Sequence, residues 1–154
     1  MKKYNKTFFV SVIFVLLVQI TWALPAVEKA KAKVTLMKTN RAIGVAHMVI
    51  KKTRSFSGLL GKSVKHERFA KKLYNEGKYD RAVYHSLKAR QYAGEIMKAS
   101  NAKTTSDFLL SADEKQWADS SPSDQELEDE VNKDNPAVIK DEDLMNGSLD
   151  LDVL

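Results

Sequence analysis

Apolar residues on both sides of Gly77 recur at helical spacing, and this pattern constrains the fold more than any other feature. Before the glycine, Val64, Phe69, Ala70 and Leu73 share one helix face. After it comes a stripe of mostly small residues at alternating steps of four and three, which lets a partner helix approach closely. Its members are Ala82, Ser86, Ala89, Ala93 and Ile96. Because Gly77 can end a helix in the left-handed conformation, residues 63–99 predict an antiparallel helical hairpin.

The turn and the second helix of this hairpin carry a family resemblance. Glu76-Gly77-Lys78-Tyr79-Asp80-Arg81-Ala82-Val83, followed by Leu87-Lys88-Ala89, resembles a tetratricopeptide repeat over residues 63–96. His66, Ser86 and Gly94 stand where the repeat usually has Trp, Phe and Pro. Shifting the register by one repeat finds no second copy, and solenoid repeats need neighbours to bury their faces. The resemblance therefore implies one hairpin with a bias towards protein interaction, without a peptide-binding array.

Residues 25–54 predict a long helix before the hairpin. Pro25 suits its first turn, and its apolar stripe includes Val34, Met37 and Met48. The β-branched residues within 45–50 leave a short strand open as an alternative. Residues 55–61 predict a loop that carries two glycines.

Capping residues predict where the other helices begin. Ser63 is the expected N-cap of the first hairpin helix, and Asp80 that of the second. A capping box of Ser111 and Glu114 starts a short helix within residues 100–120, and Trp117 is placed to dock it onto the hairpin. We therefore predict an all-α fold: a long helix, an antiparallel hairpin, a short docking helix and a flexible acidic C-terminal tail.

The charges divide the chain into two parts of opposite sign. The net charge is +5, but residues 24–103 contain 19 Lys and Arg against 5 Asp and Glu, a net of +14. Residues 104–154 contain 3 Lys against 15 Asp and Glu, a net of −12. High charge with few apolar residues predicts that 121–154 is disordered or loosely helical, with folding against a basic surface left open. The two signs are either solvated faces or a tail that competes with an anionic partner.

The N-terminus has the layout of a secretory signal peptide. Lys2, Lys3 and Lys6 precede an apolar run over residues 8–18, and Ala23 ends the segment. An uncleaved membrane anchor is the alternative, although the run is shorter than the roughly 20 residues that span a bilayer. The chain has no cysteine, so a packed core, a partner or a metal must hold it, and a helical core is the commonest of these. We expect a secreted or periplasmic protein with a signal peptide at 1–23, a basic helical domain at 24–120 and the acidic tail at 121–154.

No group of residues predicts catalysis, a metal or a cofactor. The segment 58–63 resembles the end of a P-loop, but Phe56 stands where that motif needs a glycine. His47, His66 and His85 lack a cysteine to complete a zinc site, and we expect them on exposed helix faces. The alternative is that His66 and Glu67 meet His85 across the hairpin and hold a metal there. Carboxylates of a solvated tail lack the rigid setting of acid–base catalysis. We expect a non-enzymatic protein.

Basic residues of the hairpin form the candidate surface for a partner, here called the basic belt. Its members are Lys65, Arg68, Lys71, Lys72, Lys78, Arg81, Lys88 and Arg90. For an exported protein, an acidic protein, anionic lipid or anionic polymer is a better partner than nucleic acid. We expect an interaction or structural module of the envelope or secreted space that has a protein partner. The alternative is a polyanion or membrane-surface binder with an autoinhibitory tail.

Overall fold

The computed structural model describes the backbone of residues 6–151 and the side chains of residues 26–151. Helices account for every regular element in this range, so the all-α prediction is confirmed and residues 45–50 are helical. The α-helices are α1 (Lys6–Thr53), α2 (Leu59–Asn75), α3 (Tyr79–Ala99), α4 (Ala112–Asp119) and α5 (Asp124–Asp134). Short 3-10 turns lie at Ser106–Phe108 and Glu142–Leu144.

The predicted signal peptide at residues 1–23 lies outside the residues whose side chains are described. The same is true of the alternative N-terminal anchor. Among the residues with described side chains, no helix is both long enough and apolar enough to cross a membrane.

The helix α1 packs against the α2–α3 hairpin through small and branched residues. Leu36, Ile43, Ala46 and Ile50 are almost fully buried. The predicted stripe is wrong at Val34, Met37 and Met48, because these three side chains are exposed. The buried face of α1 instead meets the small-residue stripe of α3, where short side chains allow the closest approach of two helices.

Two apolar clusters fill the interior. The first joins α1, α2 and α3 around Ile43, Leu60 and Ile96. The second lies nearer the hairpin turn, around Leu36 and Leu73. The turn itself follows the prediction, since Gly77 ends α2 with a φ of +78°.

The helix α2 begins at Leu59, four residues before the predicted N-cap Ser63. The Ser63 hydroxyl instead donates to the carbonyl of Ala89 at 2.7 Å inside the hairpin. Asp141 provides the N-terminal cap from far along the chain, because its carboxylate accepts backbone N–H bonds at the start of α2. An acidic group at a helix N-terminus satisfies free N–H groups and favours the helix dipole.

Asp141 is almost fully buried and binds the start of α2 through both oxygens. Its Oδ2 accepts from the backbone N–H groups of Ser57 at 3.0 Å and Gly58 at 2.8 Å, and its Oδ1 accepts from Gly61 at 2.8 Å. A Cβ atom on Gly61 would lie 1.9 Å from the carbonyl oxygen of Ile139. Glycine at position 61 therefore permits the close approach that this cap requires.

The short helix α4 is docked as the sequence predicts. Ser111 and Glu114 form the expected capping box. The indole N–H of Trp117 donates to Asp80 at 3.2 Å. Asp80 therefore tethers α4, and the N-cap position of α3 is Lys78 instead.

The disorder predicted for residues 121–154 is not what the structure shows for its described part, residues 121–151, here called the acidic segment. Its helix α5 begins with a capping box of Ser123 and Glu126. Leu127 and Val131 of α5 are buried. Beyond α5, Leu144, Met145 and Leu151 join the first apolar cluster. The few apolar residues of this segment suffice because they fall on one face and meet an apolar surface that is already formed.

Candidate interaction surface beneath the acidic segment

The acidic segment contacts most of the basic belt. Six of the eight belt residues have a hydrogen bond or an ion pair with it. These six are Lys65, Arg68, Lys71, Lys72, Arg81 and Lys88. The structure thus places the chain's own acidic segment over these six cations.

Three carboxylates placed along α5 make ion pairs with the hairpin. Asp124 lies 2.8 Å from the ammonium of Lys88, which also sits 4.8 Å from the ring centre of Tyr92. Glu130 pairs with Arg81, and Asp134 pairs with Lys72. These three carboxylates flank the buried Leu127 and Val131, so the face of α5 that packs on the hairpin also carries its ion pairs.

The remaining belt contacts involve backbone and amide groups as well as charge. Arg68 donates to the carbonyl oxygen of Leu149, at 3.1 Å from its Nη2. Lys65 donates to Asn132 at 2.7 Å. Lys71 lies 3.9 Å from Asp150, a loose pair between partly exposed groups.

Two predicted belt residues have other roles. Lys78 pairs with the neighbouring Glu76 at 2.8 Å and lies apart from the acidic segment's contacts. Arg90 is only 3% exposed, so its assignment to a binding surface is wrong. Its guanidinium donates to Glu114 at 2.8 Å and to the carbonyl of Thr35 at 3.0 Å. Arg90 therefore joins α1, α3 and α4 in the interior.

The energies of these contacts show how the segment is held. Exposed ion pairs contribute about 0–1 kcal/mol each and weaken as salt rises. Burial of Leu127 and Val131 contributes about 1.5–3 kcal/mol per side chain. Apolar burial and the Asp141 cap therefore supply most of the attachment. The ion pairs add a smaller contribution that depends on salt.

Two histidines predicted to be exposed are buried and face each other across the hairpin. His66 on α2 and His85 on α3 are 1% and 0% exposed, and their rings stack with centroids 5.2 Å apart. Their Nδ1 atoms are 3.0 Å apart. The two histidines thus meet across the hairpin as the alternative proposed, whereas Glu67 lies apart from them and interacts with Arg90. The pattern of the sequence could place these histidines in facing helices, but not on the inner faces.

The outer nitrogens of the histidine pair face α5. The Nε2 atom of His66 lies 3.4 Å from Glu128, and that of His85 lies 3.1 Å from Glu130. The hydroxyl of Tyr92 donates to Glu128. Burial, reinforced by the neighbouring ring of His85, lowers the pKa of His66 to about 4. Burial also lowers the pKa of His85, although Glu130 opposes the shift.

His66 borders a cleft between α2 and the acidic segment. The cleft has a volume of about 400 Å³, and its walls include Lys62, His66, Glu128 and Asp141. Among the described residues, no three His, Asp or Glu side chains are grouped so as to hold a metal ion.

Comparison with known proteins found no matching family model, no similar curated protein and no similar solved structure.

Proposed function

We propose that the chain is a non-enzymatic interaction module whose basic belt binds an acidic amphipathic helix of a partner protein. The observation that carries this proposal is the position of α5, an acidic helix that already lies on the belt. Three of its carboxylates pair with belt cations while Leu127 and Val131 enter the surface beneath. The acidic segment thus acts as an internal occupant that a partner must displace.

Export belongs to the same proposal. The basic and apolar layout of residues 1–23 supports a secreted or periplasmic location. The tetratricopeptide-like turn at 76–83 supports a protein partner, since that family's hairpins mediate protein interactions.

Covalent linkage makes the internal occupant a strong competitor. A segment tethered to its own site acts at an effective concentration in the millimolar range, so a free ligand of equal affinity binds weakly. A partner must therefore have a higher charge density or a longer contact with the belt, or it must bind under conditions that loosen the acidic segment. A test of the site must first weaken the internal contact.

Neutralising the three paired carboxylates should open the belt to an added acidic helix. We expect the full-length D124N/E130Q/D134N variant to bind a labelled peptide of residues 121–135 about tenfold more tightly than a control of equal charge. The control is D129N/E142Q/D143N, whose three acidic side chains are exposed and make no ion pair with the belt. Fluorescence anisotropy at low salt measures both affinities.

The matched control separates a specific contact from net charge. If the two variants bind the peptide equally, charge alone explains binding and the proposed site is wrong. Polyanion binding is the second candidate function, favoured by the number of cations in the belt. If heparin binds the D124N/E130Q/D134N variant and the peptide binds neither variant, this second function replaces the first.

A further inference from the structure

The contact between His66 and His85 beneath α5 limits how many protons the two rings can carry together. A 3.0 Å separation of two Nδ1 atoms is a hydrogen bond only if one atom carries a proton and the other does not. The two rings together therefore accommodate two protons, or three with a single positive charge. A fourth proton would place two N–H groups face to face between stacked cations, and the contact would break.

The neutral pair already satisfies most of its surroundings. We assign His85 a proton on Nε2, donated to Glu130, and His66 a proton on Nδ1, donated to His85. The Nε2 lone pair of His66 then faces Glu128 at 3.4 Å, the longer of the two carboxylate contacts. Phe69 packs edge-on against His85 at 4.6 Å between ring centres, which keeps one side of the pair apolar.

Charged groups of three helices surround the pair and act in opposite directions. Glu128 and Glu130 of α5 favour added protons, whereas Arg81 and Lys88 of α3 disfavour them. The full set of facing charged or titratable groups is Lys62 and Lys65 of α2, Arg81, Lys88 and Tyr92 of α3, and Asp124, Glu128 and Glu130 of α5. The neighbouring Glu67 interacts instead with Arg90 in the interior.

We propose that the His66–His85 pair is an acid-sensitive latch: protons added to the pair in mild acid loosen α5 and uncover the basic belt. The inference rests on the proposed function, because it names the regulation of the same surface. Lifting α5 opens the covered Nε2 edges to water, where a protonated ring is solvated. The closed pair holds at most one added proton, whereas two separate solvated rings can hold two, so the closed position competes with full protonation of the pair.

The direction of the pH effect follows from the number of protons that the pair binds when α5 is closed and when it is open. The histidine pKa values are lowered in the closed state relative to 6.5, so the open state binds more protons as the pH falls from 6.5 towards 4. The closed position is accordingly stable above that window and loses stability within it. Burial favours the neutral form of Glu128, but the hydrogen bond from Tyr92 helps to lower the pKa of this carboxyl below 4.5, so its titration belongs to the acidic end of the window.

Hydrogen exchange of the full-length protein tests the latch without any added ligand. We expect the protection factors of the α5 amides to fall about tenfold from pH 7 to pH 5, while those of α3 stay unchanged. The H66Q/H85Q variant should lose this pH dependence, because paired glutamines can hydrogen-bond and do not titrate in the window. The H47Q variant is the matched control and should retain it.

A second measurement needs no substitution at the pair. The ring proton shifts of His66 and His85, followed by NMR in the wild-type protein, should titrate below pH 6.5 and together with the loss of α5 protection. Rising α5 protection at pH 5 would overturn the latch, as would a tenfold fall that persists in H66Q/H85Q. Neither measurement uses the peptide, so both are independent of the peptide-binding test. If these measurements contradict the latch but the two triple variants still differ in peptide affinity, the latch is wrong and the proposed function stands.

Discussion

Replacing Glu114 with alanine is expected to lower the free energy of unfolding by about 3–5 kcal/mol, because it leaves the buried Arg90 without its counter-ion. Glu114 is 2% exposed and lies 2.8 Å from Arg90 and 2.9 Å from Lys38. It also accepts the backbone N–H of Ser111 at 2.8 Å and so completes the N-terminal cap of α4. One substitution therefore weakens contacts among α1, α3 and α4. Urea denaturation at pH 7 measures the change.

The adjacent Asp113 is the matched control. It pairs with Lys31 at 3.1 Å, but both side chains are about half exposed, so D113A should cost less than about 1 kcal/mol. Equal losses for E114A and D113A would show that the buried network does not hold the three helices together. An unchanged m-value in both variants would show that the unfolded states are comparable.

The pH dependence gives this prediction a second readout. Burial alone would raise the pKa of Glu114, but hydrogen bonds from Arg90, Ser111 and Lys38 lower it to about 2. A carboxyl whose pKa is lowered on folding contributes stability above its unfolded value of 4.5, and this stability is lost as the pH falls towards 2. E114A should therefore show a shallower loss of stability between pH 4.5 and 2 than the wild-type protein.

The second large effect has the opposite sign: E67Q is expected to stabilise the protein by about 2–3 kcal/mol at pH 8. Glu67 is 1% exposed, and neither carboxyl oxygen has a hydrogen-bond partner among the described residues. Burial raises its pKa to about 8, although the nearby Ser86 hydroxyl and the charge of Arg90 oppose the shift. The folded protein therefore holds a proton that the unfolded chain releases above about pH 4.5.

The sign of the pH effect follows from that proton. Between pH 4.5 and 8 the folded state binds more protons than the unfolded state, so wild-type stability falls as the pH rises. Glutamine keeps the shape of the protonated acid and removes this loss. The advantage of E67Q should be small at pH 5 and largest at pH 8, as measured by urea denaturation at both values.

Glu95 supplies the control for loss of a carboxylate on the hairpin. It lies partly exposed on α3 and accepts a hydrogen bond from Gln91 at 3.1 Å. E95Q should change stability by no more than about 0.5 kcal/mol at either pH. If E67Q is less stable than the wild-type protein at pH 8, Glu67 is charged in the folded state and the assignment is wrong.

Local rules were sufficient for the hairpin and for the cap of α4. Gly77 ends α2 because only its left-handed φ allows the turn, and Ser111 with Glu114 caps α4 through neighbouring backbone groups. The same rule marks the start of α5, since Ser123 and Glu126 have the capping-box spacing. The prediction of disorder gave more weight to the composition of 121–154 than to this local signal.

Contacts between distant residues explain the remaining differences. The start of α2 depends on Asp141, which lies 80 residues after Gly61 in the chain. The buried face of α1 depends on the small-residue stripe of α3, so Ala46 is inside while Met48 is exposed. The belt was identified from its charges, but the burial of Arg90 follows from its pairing with Glu114 and could not be inferred from spacing.

In the proposed function, the acidic segment occupies the belt and leaves it when an acidic helix binds. Because the chain has no cysteine, two nitroxide labels can be attached at K98C on α3 and K133C on α5, both exposed positions. Pulsed electron spin resonance then measures the distance between the labels with and without the peptide of residues 121–135. We predict one short, narrow distribution for the free protein and a longer, broader one at saturating peptide. If the distribution stays short while anisotropy shows that the peptide is bound, the peptide does not displace the acidic segment and the proposed function is wrong.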